Sequence, residues 1–307
     1  MSKMSASKKI SVRDLRQRKS RTNSIDIQKI IVLTAYDYTT AKILDQSGAV
    51  DCLLVGDSLG MVMLGYPTTT SVTMDDMLHH VKAVRRGTEN ALIIADMPFG
   101  SVISDEATAI SNMTRMIQEG GADAVKVEGA TPLMCNIIEQ ASTHGIPVMG
   151  HLGFTPQSVQ TLGGFHLQAK TLETVKQLIS DAIALEKAGC FAIVLEMIPW
   201  QVAQVVSAVV NIPTIGIGAG AHCDGQVLVI DDFMGKFPDF QPRFVRQYLH
   251  LANDLQEAVA QFNNDVQNKQ FPSLQEAFSF SPSLVDALKE LAETYGVINE
   301  NATLIAK

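Results

Sequence analysis

Short apolar runs alternate with amphipathic segments along most of the chain. The runs are rich in Ile, Val, Leu and Ala and are bounded by turn residues, which is typical of buried parallel strands. Eight candidate strands occupy residues 30–35, 52–56, 91–96, 124–128, 147–151, 191–196, 213–217 and 227–230. Helical spacing of apolar residues predicts helices at 74–86, 105–119, 131–144, 171–188 and 201–209, with Thr73 as an N-cap.

Eight strands separated by helices predict an α/β protein built from parallel βα units. Closure at eight strands is the geometry of the (β/α)8, or TIM, barrel, and an open doubly wound sheet is the alternative. We expect the barrel to occupy residues 27–262. A helical extension would precede it at 1–26, and a helical tail with a peripheral helix at 282–295 would follow at 263–307.

Composition narrows the class of protein. The 307 residues are 46% hydrophobic, enough for one large core, and the formal charge of -8 argues against a nucleic-acid partner. The four cysteines form no CxxC pair, which favours reduced thiols in a cytoplasmic protein, and no apolar stretch is long enough to span a membrane. Residues 2–24 are rich in Ser, Lys and Arg; we interpret them as an N-terminal helix or arm, with a targeting peptide as the alternative.

Four of the apolar runs end in a carboxylate, namely Asp57, Asp96, Glu128 and Glu196. An isolated buried ion is costly, so such groups must be hydrated, paired, protonated or bound to a metal. Any one of them could simply cap a helix. In a barrel, however, all four would stand at the carboxyl ends of the strands, where barrel enzymes build their sites.

Asp57 and Asp96 follow neighbouring strands and would repel each other unless a cation lay between them. Ligation by oxygen alone suits Mg²⁺, and Glu128 could complete or orient that ligand shell. The adjacent His79 and His80 do not form a zinc set, and we interpret them as helix-surface residues.

Two further residues could contact an anionic substrate. Lys126 shares a strand face with Glu128 and could bind a carboxylate or hold developing negative charge, although a structural Lys–Glu pair is the alternative. Ser58 lies in the tight turn after Asp57, where hydroxyl and backbone N–H groups could hold a carboxylate. An ordinary turn serine is the alternative there.

Glu196 would face the proposed metal ligands across the mouth of the barrel, which is the opening at the carboxyl ends of its strands. Its apolar neighbours suit a general base that removes a proton next to a polarised carbonyl. His151 also faces the mouth, as a supporting group or as a structural histidine. The glycine-rich run at residues 216–220 is a weak nucleotide signal and is interpreted with at least equal weight as a tight turn.

Several blocks of sequence together resemble the ketopantoate hydroxymethyltransferase family, in colinear order from about residue 10 to residue 280. They are Thr34-Ala35-Tyr36-Asp37, Val55-Gly56-Asp57-Ser58-Leu59-Gly60-Met61, Ala83-Val84-Arg85-Arg86-Gly87, Ala95-Asp96-Met97-Pro98-Phe99, Lys126-Val127-Glu128-Gly129, Gly150-His151-Leu152-Gly153-Phe154-Thr155-Pro156-Gln157 and Gly216-Ile217-Gly218-Ala219-Gly220. The resemblance implies a (β/α)8 barrel that makes 2-dehydropantoate from 3-methyl-2-oxobutanoate and 5,10-methylenetetrahydrofolate, in pantothenate and coenzyme A synthesis. It also implies a homo-oligomer, a decamer in this family.

The resemblance assigns roles to the same residues. Asp57 and Asp96 are similar to Mg²⁺ ligands that also meet the substrate, and Glu128 is similar to the third acidic residue of the metal site. Ser58 and Lys126 resemble substrate-binding residues, and Glu196 resembles the catalytic proton acceptor. The implied mechanism proceeds through a Mg²⁺-stabilised enolate.

Two other functions stay open at this stage. One is a Mg²⁺-dependent carbon–carbon lyase or mutase of the isocitrate lyase and phosphoenolpyruvate mutase type, which would use the same barrel. The other is a barrel that has become a non-catalytic scaffold, which the retained mouth acids and Lys126 disfavour.

Overall fold

The computed structural model describes residues 9–20, 28–237 and 241–296. Within them eight parallel strands pair in chain order, and the eighth pairs with the first to close a barrel. The strands are β1 (Ile30–Thr34), β2 (Cys52–Val55), β3 (Leu92–Asp96), β4 (Ala124–Glu128), β5 (Val148–Gly153), β6 (Ala192–Glu196), β7 (Thr214–Ile217) and β8 (Gly225–Leu228). The predicted closed barrel is confirmed, and the open sheet was the wrong alternative.

Twelve α-helices occur in the described residues. They are α1 (Val12–Ser20), α2 (Tyr38–Gln46), α3 (Leu59–Val62), α4 (Met74–Gly87), α5 (Glu106–Gln118), α6 (Pro132–Thr143), α7 (Val159–Leu162), α8 (Leu172–Ala188), α9 (Trp200–Val209), α10 (Ile230–Phe233), α11 (Leu251–Gln267) and α12 (Val285–Thr294). Thr73 caps α4 as predicted, because its hydroxyl accepts from the Asp76 N–H while the Asp76 carboxylate accepts from the Thr73 N–H.

The eighth strand differs from its prediction. It begins at Gly225, which pairs with Ile30 of β1 and Ile215 of β7, and the predicted end at Ile230 begins α10 instead. A Cβ atom at position 225 would lie 2.5 Å from the Ile30 carbonyl oxygen, so the strand starts where only glycine allows so close an approach. Glycine in a sequence usually indicates a turn, which is why the prediction missed the first residues of β8.

Side-chain alternation divides the core into two layers. Outward-facing residues such as Leu53, Ile93 and Val125 pack under the helices. Inward-facing residues such as Leu54, Ile94 and Ala124 form a second cluster, which includes Leu15 of α1. The N-terminal segment therefore contributes a helix to the barrel core, while residues 1–8 and 21–27 of the predicted extension lie outside the described residues.

The chain divides into two compact units, residues 1–249 and 250–307. The predicted boundary at 262/263 therefore falls inside α11, a helix that the sequence patterns did not indicate. The predicted peripheral helix is present as α12, preceded by a 3₁₀ turn at Pro282–Leu284. None of the helices in the described ranges has the length and apolar character needed to cross a membrane, and the four cysteines are free thiols.

Candidate active site

The inward face of the barrel changes from apolar to ionisable at the carboxyl ends of the strands. Leu92 and Ile94 lead to Asp96 on β3, and Ala192 and Val194 lead to Glu196 on β6, each pair two residues apart in the inner cluster. The same alternation on β4 and β5 yields a set of further inward groups. These are Lys126, Glu128 and His151.

Asp57 and Asp96 lie side by side. Asp57 follows β2, and its backbone N–H donates to Asp96 Oδ2 at 3.0 Å. Both residues are only 3% exposed. Burial, together with the charges of Asp96 and Glu128, raises the pKa of Asp57 to about 8, and burial also raises the pKa of Asp96 against the opposing effect of Lys126. The surroundings therefore do not stabilise both carboxylates in their ionised form.

Lys126 is the cation nearest to this pair. Its Nζ lies 2.9 Å from Asp96 Oδ1, and the two residues are register partners on β4 and β3. Burial lowers the pKa of Lys126, but the charges of Asp96, Glu128 and Asp57 outweigh burial and raise it overall. Lys126 is therefore a fixed ammonium at the centre of the mouth, available to an anionic substrate.

His151 links Lys126 and Glu128 to Glu196. Its Nδ1 lies 3.3 Å from Lys126 Nζ and 3.4 Å from Glu128 Oε1, and its Nε2 lies 3.1 Å from Glu196 Oε2. Burial and Lys126 lower the pKa of His151, whereas Glu128 and Glu196 raise it by more, to about 9. The His151 imidazole therefore lies between Glu128, near the acidic pair, and Glu196 on β6.

Ser58 sits at the edge of the same mouth. Its hydroxyl lies 2.8 Å from the Tyr36 hydroxyl, beyond the end of β1. Tyr36 is buried, and burial raises the pKa of its phenol, so the phenol stays neutral. The main chain of Tyr36 is in turn held by His80, whose Nδ1 lies 2.6 Å from the Tyr36 carbonyl oxygen. The interpretation of His80 as a helix-surface residue was therefore wrong, whereas His79 is exposed as predicted.

Gln157 is a site residue that sequence reasoning missed. Its Nε2 donates to Asp57 Oδ2 at 2.8 Å and to the Met97 carbonyl oxygen at 2.9 Å. Its backbone N–H donates to Glu128 Oε2 at 3.1 Å. Gln157 lies in a short 3₁₀ turn, Pro156–Ser158, in the connection after β5, which has no periodic sequence pattern, and the only available signal was its place in the block that begins at Gly150.

The glycine-rich run after β7 forms a turn. Gly218 and Gly220 have φ of +62° and +79°, and a Cβ atom at Gly220 would clash with the Trp200 side chain. The close packing against Trp200 explains why this run needs glycine. The interpretation of this glycine-rich run as a tight turn is confirmed.

The carboxylates at the mouth fit a magnesium ion by the chemistry of their donors. In the described parts of the chain, no three His, Cys, Asp or Glu side chains converge as a complete metal-binding set. Mg²⁺ does not require one, because it is bound by one or two carboxylates together with water and substrate oxygens. Asp57 and Asp96 provide such a pair, both of them buried, and Glu128 Oε1 is a further buried oxygen that accepts no hydrogen bond in these parts of the chain.

The chain is a closed (β/α)8 barrel, and its ionisable residues gather at the carboxyl ends of the strands. This is where barrel enzymes have their active sites, so the fold and the site define the class of protein as a (β/α)8-barrel enzyme. Comparison with known proteins identifies the family. Residues 9–274 match the family model described as ketopantoate hydroxymethyltransferase.

Curated relatives agree with this match. A 3-methyl-2-oxobutanoate hydroxymethyltransferase of Dehalococcoides mccartyi strain CBDB1 is 53% identical over 263 residues, covering 86% of this chain and 94% of the relative. A protein of the same name from Acetivibrio thermocellus is 49% identical over 86% of this chain and 93% of its own length. The chain therefore belongs to the ketopantoate hydroxymethyltransferase family, and it is a transferase.

Solved structures with the same fold are more distant in sequence. Phosphoenolpyruvate phosphomutase from Streptomyces platensis subsp. rosaceus has a TM-score of 0.55 at 13% identity, covering 94% of this chain and 99% of that one. Phosphonopyruvate hydrolase in complex with oxalate and Mg²⁺ has a TM-score of 0.54 at 13% identity, covering 96% and 100%. These similarities show the shared barrel fold.

Proposed function

We propose that this transferase moves a hydroxymethyl group from 5,10-methylenetetrahydrofolate to 3-methyl-2-oxobutanoate, giving 2-dehydropantoate in the first step of pantothenate biosynthesis. The names of relatives at about half identity support the oxo-acid substrate. The observation that carries the proposal is the meeting of a buried acidic pair, a buried ammonium and an opposed carboxylate in one barrel mouth. Enolisation of a bound 2-oxo acid would use all of these groups: the acidic pair to hold a cation, the ammonium to bind the substrate carboxylate and the opposed carboxylate to remove a proton.

Asp57 and Asp96 would hold Mg²⁺, with Glu128 completing or orienting the ligand shell. A bound Mg²⁺ would polarise the keto group and so acidify the neighbouring C3–H bond. The phosphonopyruvate hydrolase complex, with its oxalate and Mg²⁺, supports this cation for a barrel of this fold. The raised pKa values of the acidic pair also support it, because a divalent cation would favour ionisation of both carboxylates.

Lys126 and Ser58 would bind the substrate carboxylate. The Lys126 ammonium is buried and paired with Asp96, so an incoming carboxylate meets a preformed positive charge that needs no reorganisation. The Ser58 hydroxyl, held by the Tyr36 phenol, can donate a hydrogen bond to the same group. The two side chains would fix the plane of the oxo acid.

Glu196 would be the base that removes the C3 proton. Its carboxylate is 15% exposed and lies on β6, across the mouth from β2 and β3. His151 Nε2 lies 3.1 Å from one oxygen of this carboxylate, and the other oxygen would be left for the substrate. The C3 carbanion would form a carbon–carbon bond to the one-carbon unit of the folate, water would supply the hydroxyl oxygen of the product, and tetrahydrofolate would leave.

Proton NMR of 3-methyl-2-oxobutanoate in D₂O tests the enolising half of this function. We expect the C3 proton signal to disappear with protein and Mg²⁺, and to persist with protein and EDTA. Exchange that is absent with Mg²⁺, both with and without tetrahydrofolate, would contradict the proposal. The family match already disfavours the lyase and mutase alternative, and a carbon–carbon cleavage assay on the same sample checks it.

We also propose that the protein works as a homo-oligomer, a decamer as the family resemblance implies. Light scattering coupled to size-exclusion chromatography measures the mass of the native particle. A mass of a single chain would contradict this assembly.

A further inference from the structure

Gln157 connects groups that lie far apart in the chain. Its side-chain amide reaches Asp57 Oδ2 at 2.8 Å and the Met97 carbonyl oxygen at 2.9 Å, and its backbone N–H reaches Glu128 Oε2 at 3.1 Å. The partners follow or end β2, β3 and β4, three adjacent strands of the barrel. A single residue of the loop after β5 therefore contacts three neighbouring strand ends.

The orientation of this amide is fixed by its partners. Both side-chain contacts are acceptors, a carboxylate oxygen and a carbonyl oxygen, so the NH₂ group must face them. If the amide were reversed, its own oxygen would face these two acceptor oxygens and no hydrogen bond would form. Because the two N–H bonds are both used, the side chain has one arrangement that satisfies it.

The hydrogen bonds divide the oxygens of the acidic cluster into two kinds. One oxygen of each carboxylate accepts a protein N–H: Asp57 Oδ2 and Glu128 Oε2 accept from Gln157, and Asp96 Oδ2 accepts from the backbone N–H of Asp57. Glu128 Oε1 is buried and accepts no hydrogen bond in the described residues, whereas Asp96 Oδ1 is paired with Lys126 Nζ at 2.9 Å. The held oxygens fix each carboxylate plane, and Glu128 Oε1 is left for a cation.

We infer that Gln157 is a positioning residue that holds Asp57 and Glu128 in the orientation needed to bind a divalent cation. The inference rests on the proposed function, since it assumes that these acids form the metal site. Groups that orient metal ligands contribute strongly to affinity although they do not touch the metal.

The chemistry of an amide suits this role better than that of a charged donor. Lysine or arginine at position 157 would hold Asp57 equally well but would neutralise its charge and compete with the cation. Glutamine donates two hydrogen bonds and adds no charge, so the negative potential of the pair is kept for the metal. A glutamate at this position has the same shape but lacks the NH₂ donor.

Direct binding of Mn²⁺, measured by electron paramagnetic resonance of the free ion, tests the inference without reference to activity. The variants are Gln157→Met and Gln157→Leu, which remove the amide without adding charge, and the matched control is Gln160→Ala, an exposed residue of the same segment. We expect both Gln157 variants to weaken Mn²⁺ binding by about 10- to 100-fold, while Gln160→Ala binds as the unmodified protein does. Excess Mg²⁺ should then restore most of the C3 proton exchange of Gln157→Leu.

The outcomes separate this inference from the function beneath it. Unchanged Mn²⁺ affinity in both Gln157 variants, with normal binding by the unmodified protein, would overturn the positioning role and leave the function standing. Absence of Mn²⁺ binding by the unmodified protein would overturn the metal site itself. If Gln157→Leu fails to fold, as judged by circular dichroism, the unbranched and uncharged Gln157→Met carries the test.

Discussion

Glu196 differs from the other mouth carboxylates in its surroundings. Asp57 lies beside Asp96, which is paired with Lys126, whereas Glu196 on β6 contacts His151 of the neighbouring strand β5. The residue that follows it, Met197, has φ of +47°, a left-handed backbone that is rare for a non-glycine side chain. Such local strain is tolerated where the surrounding structure fixes the position of a functional group.

Replacing Glu196 by Gln should abolish proton exchange and spare binding. The amide keeps the shape of the side chain but cannot accept the C3 proton, so we expect exchange to fall by about 10²- to 10⁴-fold. Oxo-acid affinity, measured by calorimetry with Mg²⁺ present, should stay within a few-fold. Loss of binding together with exchange would contradict the role as base.

Asp232 shows how a buried charge links stability to pH. Burial, together with the charge of Asp231, raises the pKa of Asp232 to about 6. The folded state therefore holds this proton more tightly than the unfolded chain, whose value is about 3.9. The stabilisation is complete below about pH 4 and is lost as the pH rises through about 6.

Asp232→Asn should remove that dependence. At pH 4 the variant and the unmodified protein should melt together, and at pH 8 the variant should be more stable by about 1 kcal/mol, a modest value because the carboxylate is partly exposed. Thermal melts at several pH values measure the difference, with the exposed Glu173→Gln as the control. A difference that does not change with pH would contradict the explanation.

At the scale of elements, the end of β5 packs tightly against the end of β6. Gly153 pairs with Glu196, has φ of +93°, and has no room for a Cβ atom, which would clash with the Glu196 carbonyl oxygen. The position of the proposed base thus depends on a glycine in the neighbouring strand.

Gly153→Ala should therefore disturb both stability and proton exchange. Gly145→Ala is the matched control, because Gly145 has φ of +89° but open space around its Cβ position. We expect the control to cost about 1–2 kcal/mol from backbone strain alone, and Gly153→Ala to cost more and to reduce exchange as Glu196 moves. Equal effects of the two variants on melting and exchange would show that crowding against β6 is unimportant.

Helix α1 is attached to the barrel by buried charge. Lys19 Nζ lies 2.8 Å from Asp224 Oδ2, with side chains that are 10% and 9% exposed, and it also donates to the Ser207 carbonyl oxygen. Asp224 holds the Thr214 N–H at 2.8 Å, so the same carboxylate also supports β7.

Lys19→Met should leave the Asp224 charge buried without its cation. Removing one partner of a buried pair costs about 3–5 kcal/mol, and we expect a loss of unfolding free energy at the lower end because Thr214 still donates to Asp224. Chemical denaturation measures it against Arg16→Met, an exposed position on the same helix. A loss no larger than that of the control would show that the Lys19–Asp224 pair does not hold α1 to the barrel.

At the scale of the whole molecule, the barrel mouth holds more carboxyl groups than cationic side chains. Four carboxylates, Asp57, Asp96, Glu128 and Glu196, face Lys126 and His151 inside a closed sheet. A divalent cation bound there would stabilise the folded barrel by binding the native state alone.

Mg²⁺ should therefore raise the melting temperature, and EDTA should lower it. At 100 times the dissociation constant the gain is about 2.7 kcal/mol, which corresponds to roughly 5 °C for a chain of this size. Differential scanning calorimetry measures the shift, with NaCl at matched ionic strength as one control and Asp57→Asn/Asp96→Asn as the other. An equal shift in the double variant would place the stabilising cation elsewhere.

The sequence by itself determined the barrel and the identity of its charged residues. Strands of period two and helices of period 3.6 depend on local order of apolar residues, so seven strands lie where the pattern predicts them. The acids at the strand ends follow from the same periodicity. The start of the eighth strand was placed two residues too late because its first residue is a crowded glycine, and α11 was missed because an exposed helix does not carry the buried pattern.

Only the tertiary structure decided which of these residues meet. Gln157 lies 100 residues from Asp57 in the chain, and His151 joins Glu128 to Glu196 across two strand pairs. Such contacts depend on the order of strands around a closed sheet and on the path of a loop, neither of which leaves a periodic trace in sequence. The strand periodicity therefore predicted the acids, while closure of the barrel determined the hydrogen bonds that orient them.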